Sequence, residues 1–565
     1  MKKPLVSEMT LREKIGQCLL PAQWDIYRKY EESYDVLRPR EEQIAMLKKE
    51  QFGTFYGEQV GIYYEEAASQ GVTIDLAEKQ AVTVKAAEYK EFLDTQRKVQ
   101  KIPALATVDC EHGAGSIFSD GNYICESPNI GAADSEELAF QLGACIAREL
   151  RCGGINWRWF PVVDIANRFN MCIMRSFAGD DPDRMIRMAN ANIRGMQSEG
   201  VAATVKHFPG GDRYEHRDSH FTKTLISLSK EEWWEEQGRI FQEVINDGVY
   251  SVMVGHTAFP AVDDTKINGN YIPSTLSKKV ITDLLKGEMG FDGVVITDGL
   301  GMASVNTLMD YEDLLVYLMN AGNDVLLGSQ ICAGDLIEKA VKDGRIPESR
   351  IDDACTRVLN MKEKLGMFED NYYDLPYTMK EVAEETRRVD MEVARKSITL
   401  VRDREQMLPL KKEKIKNVTV ICSSHYDRYF EELQVLQKEL EARGATVHMQ
   451  RRVKSKEEMK AIADRSDLII FAVYVASHRP MGGMTLYGEE CFTYLHACTY
   501  GREKSIGVSM GYPYIHYDIM ENADTFLNTY GKSPACMKAF VESIYGEIPI
   551  VGKSPVLLTP KLYYR

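Results

Sequence analysis

The densest run of chemically useful side chains in this sequence lies between Lys206 and His220. An apolar stretch, Ala202-Ala203-Thr204-Val205, feeds Lys206-His207-Phe208-Pro209-Gly210, and a polar loop follows that ends in Asp218-Ser219-His220. Three of the chain's 10 histidines, His207, His216 and His220, fall in this one stretch. An aspartate two residues before a histidine can hydrogen-bond the ring, fix its tautomer and raise its basicity, which suits a general acid/base. A polar surface loop with incidental histidines is the plain alternative for any one of them. A metal site made from His207, His216, His220 and a nearby aspartate is another. The spacing matches no zinc motif of the HExxH kind, so no metal is expected.

A second constellation is Gly290-Phe291-Asp292-Gly293-Val294-Val295-Ile296-Thr297-Asp298, followed by Gly299-Leu300-Gly301-Met302. An apolar strand here delivers a carboxylate at its tip, and the glycines let backbone pass close to a ligand. Such a carboxylate can attack an anomeric carbon and form a covalent glycosyl-enzyme. The alternative is an ordinary helix N-cap. A third constellation pairs Asp109 of Val108-Asp109-Cys110-Glu111-His112-Gly113 with Arg175 of Arg175-Ser176-Phe177-Ala178-Gly179-Asp180. Carboxylates accept hydrogen bonds from sugar hydroxyls, and Arg and Lys donate them. The structural alternative is a salt bridge between Arg175 and Asp180.

The elements that must position these residues alternate between short apolar runs and amphipathic segments. Strands are expected at 102–108, 154–163, 202–205, 251–254, 293–297 and 324–327, with helices such as Ser135–Arg151, Pro182–Glu199 and Lys230–Asp247 between them. This order predicts parallel βαβ units. Asp109, Arg175, Lys206-His207, His256 and Asp298 all follow the C-terminal ends of these runs. Residues from so many strands converge most readily in a closed (β/α)8 barrel, whose βα loops gather at one face. We therefore expect an α/β protein: a TIM-like barrel over 1–365, a linker over 366–392, and a smaller αβα sandwich over 393–565, with strands expected at 397–401, 418–421, 447–449, 468–473 and 505–509.

The net charge of −15 excludes a general affinity for nucleic acid or anionic membranes, both of which need a basic face. The 12 cysteines show no zinc spacing and read as reduced, partly buried thiols. No apolar h-region or bilayer-length stretch is present, so the expectation is a soluble cytoplasmic protein. No Rossmann or P-loop glycine motif is convincing, and no cofactor is expected.

Several motifs together resemble glycoside hydrolase family 3. They are Met9–Gln17, Gly154–Asp164, Arg175-Ser176-Phe177, Lys206–Gly210, Gly290–Asp298, and, opening the second domain, Ala394–Val401 with Leu408-Pro409-Leu410. The resemblance implies the barrel-plus-sandwich architecture and a retaining double displacement on a small carbohydrate substrate. It puts Asp298 at the family nucleophile, and Asp109, Arg175, Lys206 and His207 at the residues that hold the sugar. His256 falls where the family often places another active-site residue. Asp218-Ser219-His220 resembles the branch of β-N-acetylglucosaminidases in which a histidine, oriented by an aspartate, is the acid/base. Gly211-Asp212 replaces the usual His-Gly of that branch, and the loop to His220 is one residue longer.

Other readings stay open at this stage. A β-glucosidase or β-xylosidase would take a glutamate from the second domain, with Glu489 or Glu490 as candidates and a helix start as the plain explanation of both. An N-acetylglucosaminide phosphorylase would use phosphate in place of water, since a histidine repels that anion less than a glutamate does. A sugar-binding protein that has lost turnover is the reading from another class. The second domain is a candidate dimer surface, leaving a homodimer open, and Gly53–Gln70 looks like an elaboration of the barrel.

Overall fold

The computed structural model describes residues 2–21, 40–56, 85–166, 168, 172–212, 214–424, 429–475, 486 and 489–558. Most of the elaboration at Gly53–Gln70 lies outside the described residues, as does most of the glycine-rich loop before Glu489.

The barrel of the first domain is built, among the described residues, on eight short strands: β1 Leu19–Leu20, β2 Thr54–Tyr56, β3 Leu105–Val108, β4 Trp157–Arg158, β5 Ala202–Phe208, β6 Ser251–Val254, β7 Val294–Thr297 and β8 Leu326–Leu327. Strands β2 to β7 pair in chain order, each parallel to the next. Strand β8 pairs in parallel with β1, placing Leu19 beside Leu326 and Leu20 beside Leu327. An Ile296–Val325 bridge joins β7 to the β8 side, and the Gly53 N–H donates to the Gly16 carbonyl at 2.7 Å where β1 and β2 begin. The curled sheet and its covering helices form the expected TIM-like barrel. Every residue of β3, β6 and β7 is buried. That is why these strands read as unbroken apolar runs: parallel strands are covered on both faces.

The covering helices are set by local signals. Helix α1, Leu11–Gln17, starts at a capping box formed by Thr10 and Glu13. Helix α2, Glu136–Cys152, starts at Ser135, and α3, Pro182–Ser198, has Asp181 as N-cap and proline in its first turn. Helix α2 buries Leu138, Leu142, Cys145, Ile146 and Leu150, one stripe at helical spacing.

In the segment read as a linker, an irregular stretch runs into helix α4, Met379–Ser397, opened by a Thr378–Glu381 capping box. The second domain is a six-stranded sheet of β9 Thr399–Asp403, β10 Asn417–Ser423, β11 Thr446–Gln450, β12 Leu468–Val473, β13 Ser505–Ser509 and β14 Thr525–Asn528. The strand order is β9-β14-β13-β12-β10-β11, with only the β9–β14 pair antiparallel. No helix among the described residues is long and apolar enough to cross a membrane.

The domains meet along α4 and α5, Pro534–Ile544. Asn129 donates to the Thr529 carbonyl at 2.6 Å, and the thiols of Cys125 and Cys536 lie 3.4 Å apart. Asp390 on α4 is buried here and accepts the Cys125 N–H at 2.8 Å. Burial pushes its carboxyl up to about 6, and the Cys125 hydrogen bonds only partly oppose this. The folded value therefore exceeds the unfolded 3.8, so the folded protein holds this proton more tightly. The cost of ionising Asp390 is absent below about pH 4 and fully present above about pH 6, with a ceiling of about 3 kcal/mol. Asp390→Asn keeps an acceptor oxygen and removes the charge. It is expected to raise Tm at about pH 7.5 and leave it unchanged near pH 4; equal shifts at both would rule out the buried charge as the cause.

Candidate active site

A polar cleft opens at the C-terminal ends of the barrel strands. Its lining includes Asp164, Arg175, His207, Asp218, His220, His256 and Asp298, and its empty volume of about 740 Å³ is continuous with solvent. Barrel folds put ligands at this end because the βα loops converge there.

On one side lies a knot of charges from three strands. Glu111, just after β3, receives Arg175 in a bidentate pair, from Nε at 2.9 Å and Nη2 at 2.5 Å. Lys206 of β5 reaches the same carboxylate at 2.9 Å and also pairs with Asp109. Lys206 is 1% exposed, so its charge survives only because two carboxylates meet it. Burial alone would lower the Lys206 ammonium, but Asp109 and Glu111 outweigh it and hold the group above its usual range. Glu111 responds in the opposite sense: burial pushes it up, and the charges of Arg175 and Lys206 bring it well below the usual range.

The β3 loop is braced from behind by Arg158 of β4. This buried guanidinium donates to the Cys110 carbonyl at 3.2 and 2.6 Å and lies over the Phe160 ring at 4.1 Å. Cys110 sits in the left-handed region, φ +52°, which turns the chain so that Asp109 and Glu111 both face Lys206. Burial lowers Arg158 to about 10, still protonated at neutral pH.

The pairing of β5 with β6 shifts register between Val205 and Phe208. At that irregularity the consecutive residues Lys206 and His207 both take up site partners, which a regular strand would aim to opposite faces. His207 binds Asp164 twice, through its backbone N–H at 3.1 Å and through Nδ1 at 2.7 Å. His220 repeats the arrangement with Asp218, N–H at 2.9 Å and Nδ1 at 2.6 Å. In each pair the carboxylate orients the ring through Nδ1 and leaves Nε2 for other chemistry. The His220 carbonyl accepts the Ala303 N–H at 2.9 Å, which ties this loop to the one that follows Asp298.

Asp298 follows β7. Its N–H donates to the Val254 carbonyl at 2.9 Å, and its Oδ1 accepts the Gly299 N–H at 2.8 Å. It caps no helix, because the next one, Ala303–Asn306, begins further on with Met302 as N-cap. Burial raises its carboxyl, but the nearby imidazoles of His207 and His256 and the Gly299 N–H outweigh this and hold it below the usual range, hence ionised. His256 is buried, with Nδ1 2.8 Å from the Thr275 hydroxyl and Nε2 3.0 Å from the Gly299 carbonyl. A carbonyl can only accept, so Nε2 carries the proton. Burial lowers this ring's pKa. Both of its nitrogens are used inside the protein.

Of the residues singled out in the sequence, Arg175, His207, His220, Asp218, His256 and Asp298 line one cleft, while Asp109 and Lys206 belong to the charge knot beside it. Arg175 pairs with Glu111, whereas Asp180 accepts the Leu557 N–H at 2.9 Å. His216 is exposed, and among the described residues no group of His, Cys, Asp or Glu is placed to hold a metal. Glu489 and Glu490 open the helix Glu489–His496, both pair with Arg452, and neither is in the cleft lining. Sequence reasoning named neither Glu111 nor Asp164 as a site residue. Each lies in a quoted motif, and only the folded distance reveals its partner.

The barrel, the sandwich and this cleft of carboxylates and imidazoles define a glycoside hydrolase. The chain belongs to glycosyl hydrolase family 3: the model of that family's N-terminal domain matches residues 10–361. A "Beta-N-acetylglucosaminidase/beta-glucosidase" of Cellulomonas fimi is 26% identical over 498 residues, covering 84% of this chain and 87% of that protein. The solved structure of a family 3 β-N-acetylglucosaminidase from Paenibacillus sp. str. FPU-7 superposes with a TM-score of 0.78 at 25% identity, over 98% of this chain and 100% of that one. That of the "Beta-glucoside phosphorylase BglX" superposes at 0.80 and 26% identity, over 99% and 95%.

Glu111→Gln keeps the shape and removes the charge that Arg175 and Lys206 share. We expect kcat/KM to fall roughly 100-fold and stability near neutral pH to drop by about 3 kcal/mol, the cost of breaking a buried pair. Because Glu111 titrates well below its unfolded value, its stabilisation is present above about pH 4.5 and fades as pH falls further. The wild-type advantage in urea unfolding should shrink accordingly below about pH 4. An advantage that persists at low pH would show that charge is not its source.

Proposed function

We propose that the chain is a retaining, exo-acting β-N-acetylhexosaminidase that removes terminal N-acetylglucosamine. The observation that carries this reading is the Asp218–His220 pair in the same cleft as Asp298, at 2.6 Å from carboxylate to Nδ1. The names of the relatives that act on N-acetylglucosaminides support it.

In this mechanism the ionised Asp298 attacks the anomeric carbon as the bond to the leaving oxygen breaks. Protonated His220 supplies that oxygen's proton from Nε2, while Asp218 stabilises the imidazolium at Nδ1. The product is a glycosyl ester on Asp298 and a neutral His220. Water then adds to the anomeric carbon, His220 takes its proton, and the ester bond to Asp298 breaks, so two inversions give net retention. Asp109, Arg175, Lys206 and His207 hold the sugar hydroxyls. His256 keeps the Gly299 carbonyl, and so the backbone beside Asp298, in place.

A second reading, phosphorolysis, is favoured by the near-complete superposition on the β-glucoside phosphorylase. Phosphate would replace water in the second step, and neutral His220 would not repel it as a carboxylate base would.

The test is release of p-nitrophenol from the β-N-acetylglucosaminide and the β-glucoside, each with and without phosphate. Preference for the acetamido sugar is expected, and a phosphate-dependent gain would select phosphorolysis. Asp298→Asn should lower turnover by at least about 1000-fold on any substrate. His220→Ala should slow alkyl glycosides far more than p-nitrophenyl ones, since only poor leaving groups need the proton. Equal loss on both would remove His220 from the acid role, and preference for the glucoside would overturn the substrate assignment.

A further inference from the structure

The last described residues of the second domain return to the barrel. Gly552-Lys553-Ser554-Pro555-Val556-Leu557 has a proline and two small residues and forms no helix or strand. It crosses as a strap that leaves the second domain at Gly552 and whose backbone groups from Lys553 onward are taken up by the first domain at successive points. The Gly552 N–H donates to the Ile398 carbonyl at 3.1 Å, and the Lys553 N–H to the Ala132 carbonyl at 2.9 Å. The Ser554 carbonyl accepts from Arg184 at 2.8 Å. The Pro555 carbonyl accepts the Asp180 N–H at 3.0 Å, and the Leu557 N–H donates to the Asp180 carboxylate at 2.9 Å. Asp180 is thus clasped at two points. Val556 is buried in an apolar cluster of the second domain, against which Ala166 and Met174 also pack.

The clasped segment directly follows Arg175. On its inner side the Phe177 N–H donates to the Val162 carbonyl at 2.9 Å, and Ser176 Oγ donates to the Gly179 carbonyl at 2.9 Å. On its outer side there is no room between segment and strap. A Cβ on Gly179 would lie 1.8 Å from the Pro555 carbonyl oxygen, and the φ of +99° there already favours glycine. Met174 and Asp180, one before Arg175 and one five residues after it, both touch the strap domain. A loop residue that must present a guanidinium within a fraction of an ångström needs support on both sides.

We propose that this strap is the second domain's contribution to catalysis, and that Asp180 and Gly179 are positioning residues which hold Arg175 in register with the bound sugar. The proposal rests on the reading of Arg175 as a ligand of the sugar hydroxyls. It gives the second domain a task in the active site without placing one of its side chains in the cleft.

The test uses the full chain with Gly179→Ala, Asp180→Ala and Asp180→Asn, and Arg175→Gln as reference. The readouts are KM and kcat on the better of the two p-nitrophenyl glycosides, Tm, and the rate of tryptic cutting after Lys553. Gly179→Ala and Asp180→Ala should raise KM roughly tenfold, change kcat less than about threefold, and speed cutting at Lys553. Asp180→Asn keeps an acceptor for the Leu557 N–H and should restore KM. Arg175→Gln should raise KM at least as much. If Arg175→Gln raises KM while Gly179→Ala and Asp180→Ala leave it unchanged, the strap proposal is overturned, whether or not cutting is faster. If Arg175→Gln itself leaves KM unchanged, the role given to Arg175 fails instead. A fall in Tm with KM preserved would make the strap a structural tie alone, against the proposal. Should Gly179→Ala not accumulate as folded protein, the Asp180→Ala and Asp180→Asn pair decides the matter.

Discussion

The cleft depends on one shared carboxylate. Glu111 accepts both Arg175 and Lys206, and these groups arrive from three different strands or their loops. With Glu111 neutral, the buried Lys206 and the half-buried Arg175 would face each other with only Asp109 to offset them, a situation that proteins avoid by moving the groups or neutralising them. The ion cluster therefore does for the βα loops what apolar packing does for the strands below. Arg158 extends the arrangement outward, since its hold on the Cys110 carbonyl decides where the Glu111 side chain begins.

The rest of the architecture supports this constraint at graded distances. The register shift in β5 lets Lys206 and His207 serve the site together, although they are adjacent in the chain. The Ala303–His220 backbone bond ties the loop carrying the acid/base candidate to the loop after Asp298. Beyond the barrel, α4 fixes the second domain through Asp390 and Cys125, while the strap adds bonds to Ala132, Arg184 and Asp180.

Much of this was legible in the sequence because parallel strands covered on both faces leave a plain record. The apolar runs that became β3, β5, β6 and β7 each end in a polar residue of the cleft or its charge knot, so strand and site were read together. Strands β1 and β2 were not read: they span only Leu19–Leu20 and Thr54–Tyr56, too short for any period to emerge. Strand β14 escaped for a similar reason, since Thr525–Asn528 begins and ends in polar residues. At the site, the Asp218–His220 pair is local and could be seen, as both partners lie within one turn of chain. The partners of Glu111 and Asp164 lie 64 and 43 residues away, and no spacing rule reaches that far. Asp180 was noticed beside Arg175, yet its partner is Leu557, at the far end of the second domain.

The knot around Glu111 also has a simple electrical character. Asp109 and Glu111 carry two negative charges, Arg175 and Lys206 two positive ones, and they stand within hydrogen-bonding distance of each other. Seen from solvent, such a quartet is close to a multipole without net charge, whose potential dies away within a few ångströms. Towards the pocket it presents Arg175, a donor whose position the other three charges help to fix. A wall of this kind exerts little pull on a passing ion, yet it can grade neutral, hydroxyl-bearing molecules by where their oxygens point. Discrimination then belongs to close-range geometry, and arrival in the cleft is left to ordinary diffusion.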